Sequence, residues 1–254
     1  MSPSDTCRPL LTIVTVVRNG APFIEETILS VVAQKNENIE YIIVDGASTD
    51  GTVAVIEKYD AQIDHWISEP DRGIYEAMNK GIKAAKGSYI GLLNCGDRYV
   101  VGALTAVLME IRNAGGLEAV IAGGVATLDK SGRTVATDMV DRSSLGNKFR
   151  FMPLNHPAMF VPDSVYAKVG PYREDLRICS DYDFVLKLLN RQVDIRFVAM
   201  VLTEMRAGGI SDSPGTLITR LSEGFRIRRE YKGLTYSMMI VARELMSFLY
   251  RLAR

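Results

Sequence analysis

Asp97 is the residue whose type and setting most directly offer chemistry. The apolar and aromatic run Tyr89 to Leu93 stops at Asn94-Cys95-Gly96-Asp97, so a buried strand ends where turn-forming residues and one carboxylate begin. Open α/β sheets place ligands at such strand ends. One aspartate there suffices for Mg²⁺, which takes one or two carboxylates and completes its shell from phosphates and water. The expectation is that Asp97 holds a metal on a diphosphate; the competing role is to cap a helix starting near Val100. A second carboxylate, Asp45, ends the apolar run Ile39 to Val44 and opens the turn Gly46 to Gly51, where an aspartate is equally a plain turn former. A third, Asp181, stands in Cys179-Ser180-Asp181-Tyr182-Asp183, ahead of the helical pattern of Phe184, Val185, Leu188 and Leu189, where an acid also complements the helix dipole. Asp181 and Asp183 lie roughly 200° apart on a helix, so only one of them can point into a site.

These residues need elements to position them. Leu10 to Val17 is rich in β-branched residues without helical period and ends at Arg18-Asn19-Gly20, as a buried first strand does. Phe23, Thr27, Ile28, Val31 and Val32 then recur at helical spacing behind Pro22. Strand, helix, strand predicts a parallel pair with a right-handed crossover, which brings Val17-Arg18 and Asp45 to one sheet edge facing one ligand. Neither a dinucleotide fingerprint nor a Walker loop is present. Ile63 to Ser68 reads as a short strand, Glu69 to Gly73 as a charge-dense loop, and Ile74 to Lys86 as a helix with Asn79 and Lys80 on a solvated face. Ala103 to Arg112 reads as another helix, Ala119 to Ala122 as a strand loosened by Gly123-Gly124, and Lys130-Ser131-Gly132 as a hairpin turn. Asn155 to Val161 reads as a strand entered by His156, and Ile195 to Met205 as a final strand before the loop Arg206 to Ser211.

Composition narrows the classes. The chain has 254 residues, 47% of them hydrophobic, enough for one large α/β domain. Thirty Lys/Arg balance thirty Asp/Glu, which argues against a general nucleic-acid binder. Three cysteines, Cys7, Cys95 and Cys179, lack metal-type spacing and suit a reducing compartment. No signal-peptide pattern and no membrane-length apolar run are present, so the expectation is a cytoplasmic protein, soluble or at the inner face of the cell membrane.

Five motifs in order, the strand running into Arg18-Asn19-Gly20, IIVDGASTDGT, SEPDRGIYEAMNKGI, GSYIGLLNCGD, and NHPAMFV with CSDYDFVLKL, resemble the glycosyltransferase family 2 enzymes of GT-A fold, over about Leu10 to Ile210. Within that family they are most similar to bacterial enzymes of exopolysaccharide, O-antigen and glycolipid clusters. The resemblance implies an α/β GT-A fold with a Rossmann-like, mainly parallel central sheet, flanking helices and a C-terminal helical extension. It also implies an inverting transfer from a nucleotide-diphosphate sugar to a hydroxyl of a saccharide or lipid-linked saccharide acceptor, with Mg²⁺ or Mn²⁺. By it, Val16, Arg18, Asp45, Arg72 and Asn94 contact the donor nucleotide, Asp97 stands for the last aspartate of the DXD metal motif, and Asp181 accepts the acceptor's proton. His156 lines the acceptor side. The chain departs from the pattern in two places: Gly46 replaces a second acid after Asp45, and Asn94-Cys95-Gly96-Asp97 keeps one carboxylate of the DXD. The thinned motif motivates a rival reading, a catalytically silent scaffold partner of another glycosyltransferase. Bulky alkylation of Cys95 or Cys179, both beside the site, is expected to block it.

The division expected is a catalytic domain over 10–212 and an amphipathic helical extension over 213–254. From Arg220 onward there are eight Lys/Arg against three Asp/Glu. Arg243, Ser247, Arg251 and Arg254 form one stripe, and Met238, Met239, Val241, Ala242, Leu245, Met246, Phe248, Leu249 and Leu252 cover a wide apolar face. That pattern suits an anionic membrane interface, packing on the body, or a homodimer contact.

Overall fold

The computed structural model describes residues 8–149, 152–209 and 214–252. Its centre is a nine-stranded sheet. Strands β1 (Leu11–Val17), β2 (Ile39–Asp45), β3 (His65–Ser68) and β4 (Tyr89–Asn94) lie in the order β3-β2-β1-β4 and are mutually parallel. Helices α1 (Ile24–Val32), α2 (Thr52–Lys58) and α3 (Ile74–Ala84) connect them. Beyond β4 the sheet is mixed. β8 (Met159–Pro162) runs antiparallel to both β4 and β6 (Val120–Leu128), β6 runs parallel to β9 (Ile195–Arg206), and β9 pairs antiparallel with β5 (Arg98–Tyr99). The sheet is covered on both faces, which is why every residue of β1 and of β2 is buried. Leu11, Ile13 and Val17 pack with α1 and with α4 (Ala103–Ala114). Val14 and Val16 face the opposite way, into a cluster with α3, α5 (Asp163–Val169) and α6 (Ser180–Asn190).

Three details differ from the sequence expectations. β6 extends through Gly123-Gly124 to Leu128, and the pairing with β9 shifts register there; a Cβ on Gly123 would collide with Leu202, so the glycines permit close strand approach rather than ending the strand. His156 sits in a single 3₁₀ turn, His156–Ala158, ahead of β8 rather than in the strand. Asn79 and Lys80 are not merely solvated: the Asn79 amide donates to the Tyr172 carbonyl and accepts its N–H, while the Lys80 ammonium meets Glu69 and the Pro70 carbonyl. The hairpin about Lys130-Ser131-Gly132 joins β6 to β7 (Thr134–Asp138) as expected.

The chain ends in α7 (Leu217–Lys232) and α8 (Leu234–Leu252). Leu176, Cys179, Tyr182, Leu186 and Ile227 form a third apolar cluster, binding α7 to the start of α6. On α8, Ser237 and Ile240 are buried, whereas Leu234, Met238, Met239 and Met246 are exposed. At 100° per residue these four fall within an arc of about 140°, away from the buried side. Arg254, and the side chains of Leu245, Ser247, Phe248, Leu249, Arg251 and Leu252, lie outside the described residues, as do Ile210 and Ser211 of the expected loop.

Candidate active site

The parallel strands end in register. Val17 pairs with Asp45, Val16 with Asn94, and Asp45 with Ser68, so four chain reversals gather at one sheet edge. Side chains stitch the first two reversals together: the Asn19 main-chain N–H donates to the Ser48 hydroxyl, Thr49 N–H to the Asn19 side chain, Gly20 N–H to the Thr52 hydroxyl, and Ala21 N–H to Asp50. Asn19 and Ala47 take positive φ, 52° and 55°, in this knot. Above it opens a cavity of about 1480 Å³.

Val16, Arg18, Asn94, Asp97 and Asp181 all line this cavity, so residues 165 positions apart in sequence share one space. Asp45 and Arg72 do not line it. Asp45 is fully buried and accepts from Ser48 N–H at 2.9 Å, from the Ser48 hydroxyl, and from the Ser68 hydroxyl at 2.6 Å, so it organises the strand ends. The Arg72 guanidinium is exposed and paired with Glu76 and Glu174. Its neighbour Asp71 does line the cavity, and a Cβ on Gly46 would run into the Asp71 carboxylate. The space a second acid would take after Asp45 is therefore filled by an acid from the following loop.

Asp97 caps no helix, because α4 begins at Ala103 behind Gly102. Its carboxylate accepts the Arg206 main-chain N–H at 3.3 Å, and its own carbonyl accepts from the Thr27 hydroxyl. Burial pushes the carboxyl up to about 6, against the opposing pull of His156 and the Arg206 amide. A buried carboxylate held this high favours a cation, and beside it the buried Asn94 Oδ1 has no hydrogen-bond partner among the described residues. Two hard oxygen donors fit Mg²⁺ or Mn²⁺. Among the described residues no group of three or more His, Cys, Asp or Glu is placed to hold a metal, so the rest of a shell would come from ligand and water.

Asp181 stands in the first turn of α6, half-buried. The Tyr75 hydroxyl reaches its Oδ1 at 3.2 Å and the Ile178 carbonyl at 2.5 Å; His156 Nδ1 lies 3.3 Å from its Oδ2. His156 Nε2 is 3.0 Å from the Asn94 amide nitrogen. With Asp181 ionised, the consistent assignment puts the imidazole proton on Nδ1 and lets Nε2 accept from Asn94. A side-chain chain thus links the loop of Asp97 to Asp181. Asp183 is buried and faces Lys187 at 2.8 Å and Arg173 at 3.6 Å, as the helical spacing requires.

Residues that sequence reasoning left out complete the site. Glu223 on α7 accepts from the main-chain N–H groups of Arg177, Ile178 and Cys179 at 2.7, 3.0 and 3.0 Å, tying the segment before Asp181 to the C-terminal helices. Nothing local marks Glu223, since an acid in a helix richer in Arg and Lys reads as surface. Tyr75 on α3 is buried, and its hydroxyl reaches Asp181. Burial pushes Cys95 and Cys179 up to about 12, so both thiols stay protonated and the expected alkylation loses its nucleophile.

A sheet of this order, with a strand-end carboxylate over a cavity and a helix-borne acid across it, is the GT-A type of glycosyltransferase fold. The sequence profile of glycosyl transferase family 2 matches residues 12–194, and the chain belongs to that family. It is 32% identical over 200 residues to an uncharacterized glycosyltransferase of Mycobacterium tuberculosis, covering 76% of this chain and 74% of that one. It is 40% identical over 105 residues to the uncharacterized glycosyltransferase EpsJ of Bacillus subtilis, covering 40% of this chain and 30% of that one. Among solved structures, residues 1–349 of S. aureus TarS in complex with UDP-GlcNAc superpose with a TM-score of 0.68 at 16% identity, over 92% of this chain and 71% of that one. The mannosyltransferase PcManGT from Pyrobaculum calidifontis, in complex with GDP-Man and Mn²⁺, gives 0.61 at 16% identity, over 97% and 77%. The chain spans 42% of the longer TarS structure.

Proposed function

We propose that this glycosyltransferase moves a sugar from a nucleotide-diphosphate donor to an acceptor hydroxyl with inversion at the anomeric carbon. The observation that carries the reading is the meeting of Asp97 and Asp181 in one cavity, the first in a setting fit for a cation and the second held by Tyr75 and His156. A bound Mg²⁺ or Mn²⁺ would neutralise charge on the departing diphosphate. Asp97 and Asn94 are the residues to hold it. Asp181 takes the acceptor proton as the acceptor oxygen bonds to the anomeric carbon; the bond from that carbon to the diphosphate oxygen breaks and nucleoside diphosphate leaves. His156 Nδ1 and the Tyr75 hydroxyl, which is shared with the Ile178 carbonyl, both lie within reach of Asp181 and fix the carboxylate's rotamer toward the cavity. The donors bound by TarS and PcManGT, UDP-GlcNAc and GDP-Man, support the donor class.

A saccharide acceptor carried on a lipid suits the outer arc of α8, whose exposed methionines would lie on a membrane surface. Among the described residues no helix is long and apolar enough to cross a membrane. Calorimetric titration of UDP and GDP with and without Mn²⁺, followed by a screen of nucleotide sugars for donor hydrolysis, tests the reading. Metal-dependent nucleotide binding and turnover of at least one donor are expected. No such binding would leave the silent scaffold as the better reading.

A further inference from the structure

His156 lies between the loop of Asp97 and the start of α6, and the transfer described above uses only one of its two ring nitrogens. Its place is set by backbone contacts independent of both neighbours. The 3₁₀ turn His156–Ala158 closes through the Ala158 N–H on the Asn155 carbonyl at 3.0 Å, and the buried Thr203 hydroxyl of β9 donates to the Pro157 carbonyl at 2.7 Å. Asn94 and Asp181 thus meet a ring that is already positioned.

The Asn94 side chain carries the decisive detail. Its amide nitrogen lies 3.0 Å from His156 Nε2, and where burial pushes the Asp97 carboxyl up, a hydrogen bond from the same side chain pulls it down. Its Oδ1 is buried with no hydrogen-bond partner among the described residues, which is destabilising unless a ligand supplies one. An amide turned end for end fills the same space, so its direction needs a cause. The ring provides it. His156 Nδ1 lies 3.3 Å from Asp181 Oδ2, and an ionised carboxylate only accepts, so the ring proton belongs on Nδ1 and Nε2 is left as an acceptor. Nε2 then takes the NH₂ end of Asn94 and repels the oxygen end. Through the imidazole, Asp181 decides which end of Asn94 is left unspent beside Asp97.

We infer that His156 is a positioning residue with two separable duties: Nδ1 holds the Asp181 carboxylate, and Nε2 holds the Asn94 amide so that its carbonyl oxygen stays available to a divalent cation beside Asp97. The inference rests on the roles proposed for Asp97, Asn94 and Asp181. A hard cation takes an amide through its carbonyl oxygen, so an Asn94 released to rotate would offer that oxygen only part of the time. Imidazole suits both duties because it carries a donor and an acceptor on one rigid ring, pointing in different directions.

Two substitutions in the full chain separate the duties. H156N puts an amide near the position of Nδ1 and leaves Asn94 unsupported; H156Q carries its amide out toward the position of Nε2, where its oxygen can accept from Asn94, and withdraws from Asp181. In calorimetry, H156N should weaken Mn²⁺-dependent binding of UDP or GDP about tenfold more than H156Q does, the effect of one lost hydrogen bond. In donor hydrolysis at saturating Mn²⁺ the order should reverse, with H156Q slower than H156N by about tenfold. Equal losses in the two folded variants, or no loss in either, would overturn the inference, because a merely structural histidine does not divide binding from rate. ¹⁵N NMR of wild type in EDTA gives a reading that holds even where a variant unfolds. His65 and His156 are the two histidines of the chain, so H65Q assigns the signals, and the neutral His156 ring should carry its proton on Nδ1. A proton on Nε2, with Mn²⁺-dependent nucleotide binding intact, would overturn this inference alone. Absence of that binding in wild type would overturn the metal reading of Asp97 and Asn94, and this inference with it.

Discussion

Residues 11–97 build their side of the cavity from parallel strands that end in step, so Val17, Asp45 and Asn94 arrive together because the register puts them there. Residues 177–244 build theirs from contacts between segments far apart in sequence: Glu223 holds the main chain of 177–179, and Arg228 reaches the carbonyl of Phe149. In the first region the strand ladder brings the ends of β1, β2 and β4 into step, and local side-chain contacts from Asn19, Asp45 and Asp50 hold the turns that follow. In the second, a few side chains carry the placement, and removing one moves others. The same loss should therefore stay local on one side and spread on the other.

The strongest way to break that contrast is at the two acids. Asp97→Asn should abolish Mn²⁺-dependent turnover, because it removes the carboxylate of the loop 94–97, while the thermal unfolding transition stays cooperative; turnover within a few-fold of wild type would refute the metal assignment. Asp181→Asn should lower kcat by about 10² to 10⁴, the range for loss of a general base, with donor affinity nearly unchanged. Collapse of donor affinity would show that Asp181 is not the base.

Glu223→Gln sharpens the comparison. It leaves three main-chain donors facing an amide, and loss of charge-assisted hydrogen bonds costs about 1.5–3 kcal/mol. Since Glu223 is remote from Asp97 in sequence and function, kcat should fall about tenfold with Mn²⁺-dependent nucleotide binding intact. A variant with wild-type kcat and wild-type stability would show that the clamp does not position Asp181.

A smaller effect concerns pH. The Asp97 carboxyl moves from an ordinary 3.8 in the unfolded chain up to about 6 in the fold, chiefly by burial, so the folded state binds that proton more tightly. Below about pH 4 the group is protonated in both states and carries no penalty; stability falls as pH rises from about 4 to about 6, and a penalty of up to about 3 kcal/mol is complete above that. In EDTA, Asp97→Asn should raise the melting temperature at pH 7.5 and leave it unchanged at pH 4. Equal shifts at both values would rule out the buried charge as the cause. The smallest effect expected is with thiol reagents: at pH 7 a maleimide should modify Cys95 and Cys179 slowly, because burial keeps both protonated, and mass spectrometry after an hour should show both largely unmodified.

The first region was legible in the sequence because its signals are local. A β-branched run ending in Arg18-Asn19-Gly20, and another ending in Asp45-Gly46, state both the strand and the place where it stops. The convergence of Val16, Arg18, Asn94 and Asp97 follows once the parallel order is assumed, whereas Asp181 is reached only through the family resemblance. Asp45 was placed correctly at the strand end, but its burial among Ser48 and Ser68 depends on β3 lying beside it. Arg72 is a donor contact only by the family resemblance, and Glu76 and Glu174, four and about a hundred residues on, pair with it instead. The second region left almost no local trace. His156 meets Asp181 across 25 residues, and Glu223 meets Cys179 across 44.

The Glu223 clamp also sets an order of events. During synthesis the strands that gather Val16, Asp45, Asn94 and Asp97 are complete before α7 exists, and α7 supplies the carboxylate of Glu223 that holds the main chain leading into Asp181. On the proposed reading, the nucleotide side of the cavity can take shape while Asp181 is still unplaced. Docking of α7 against the start of α6 then acts as the completion step for the placement of Asp181.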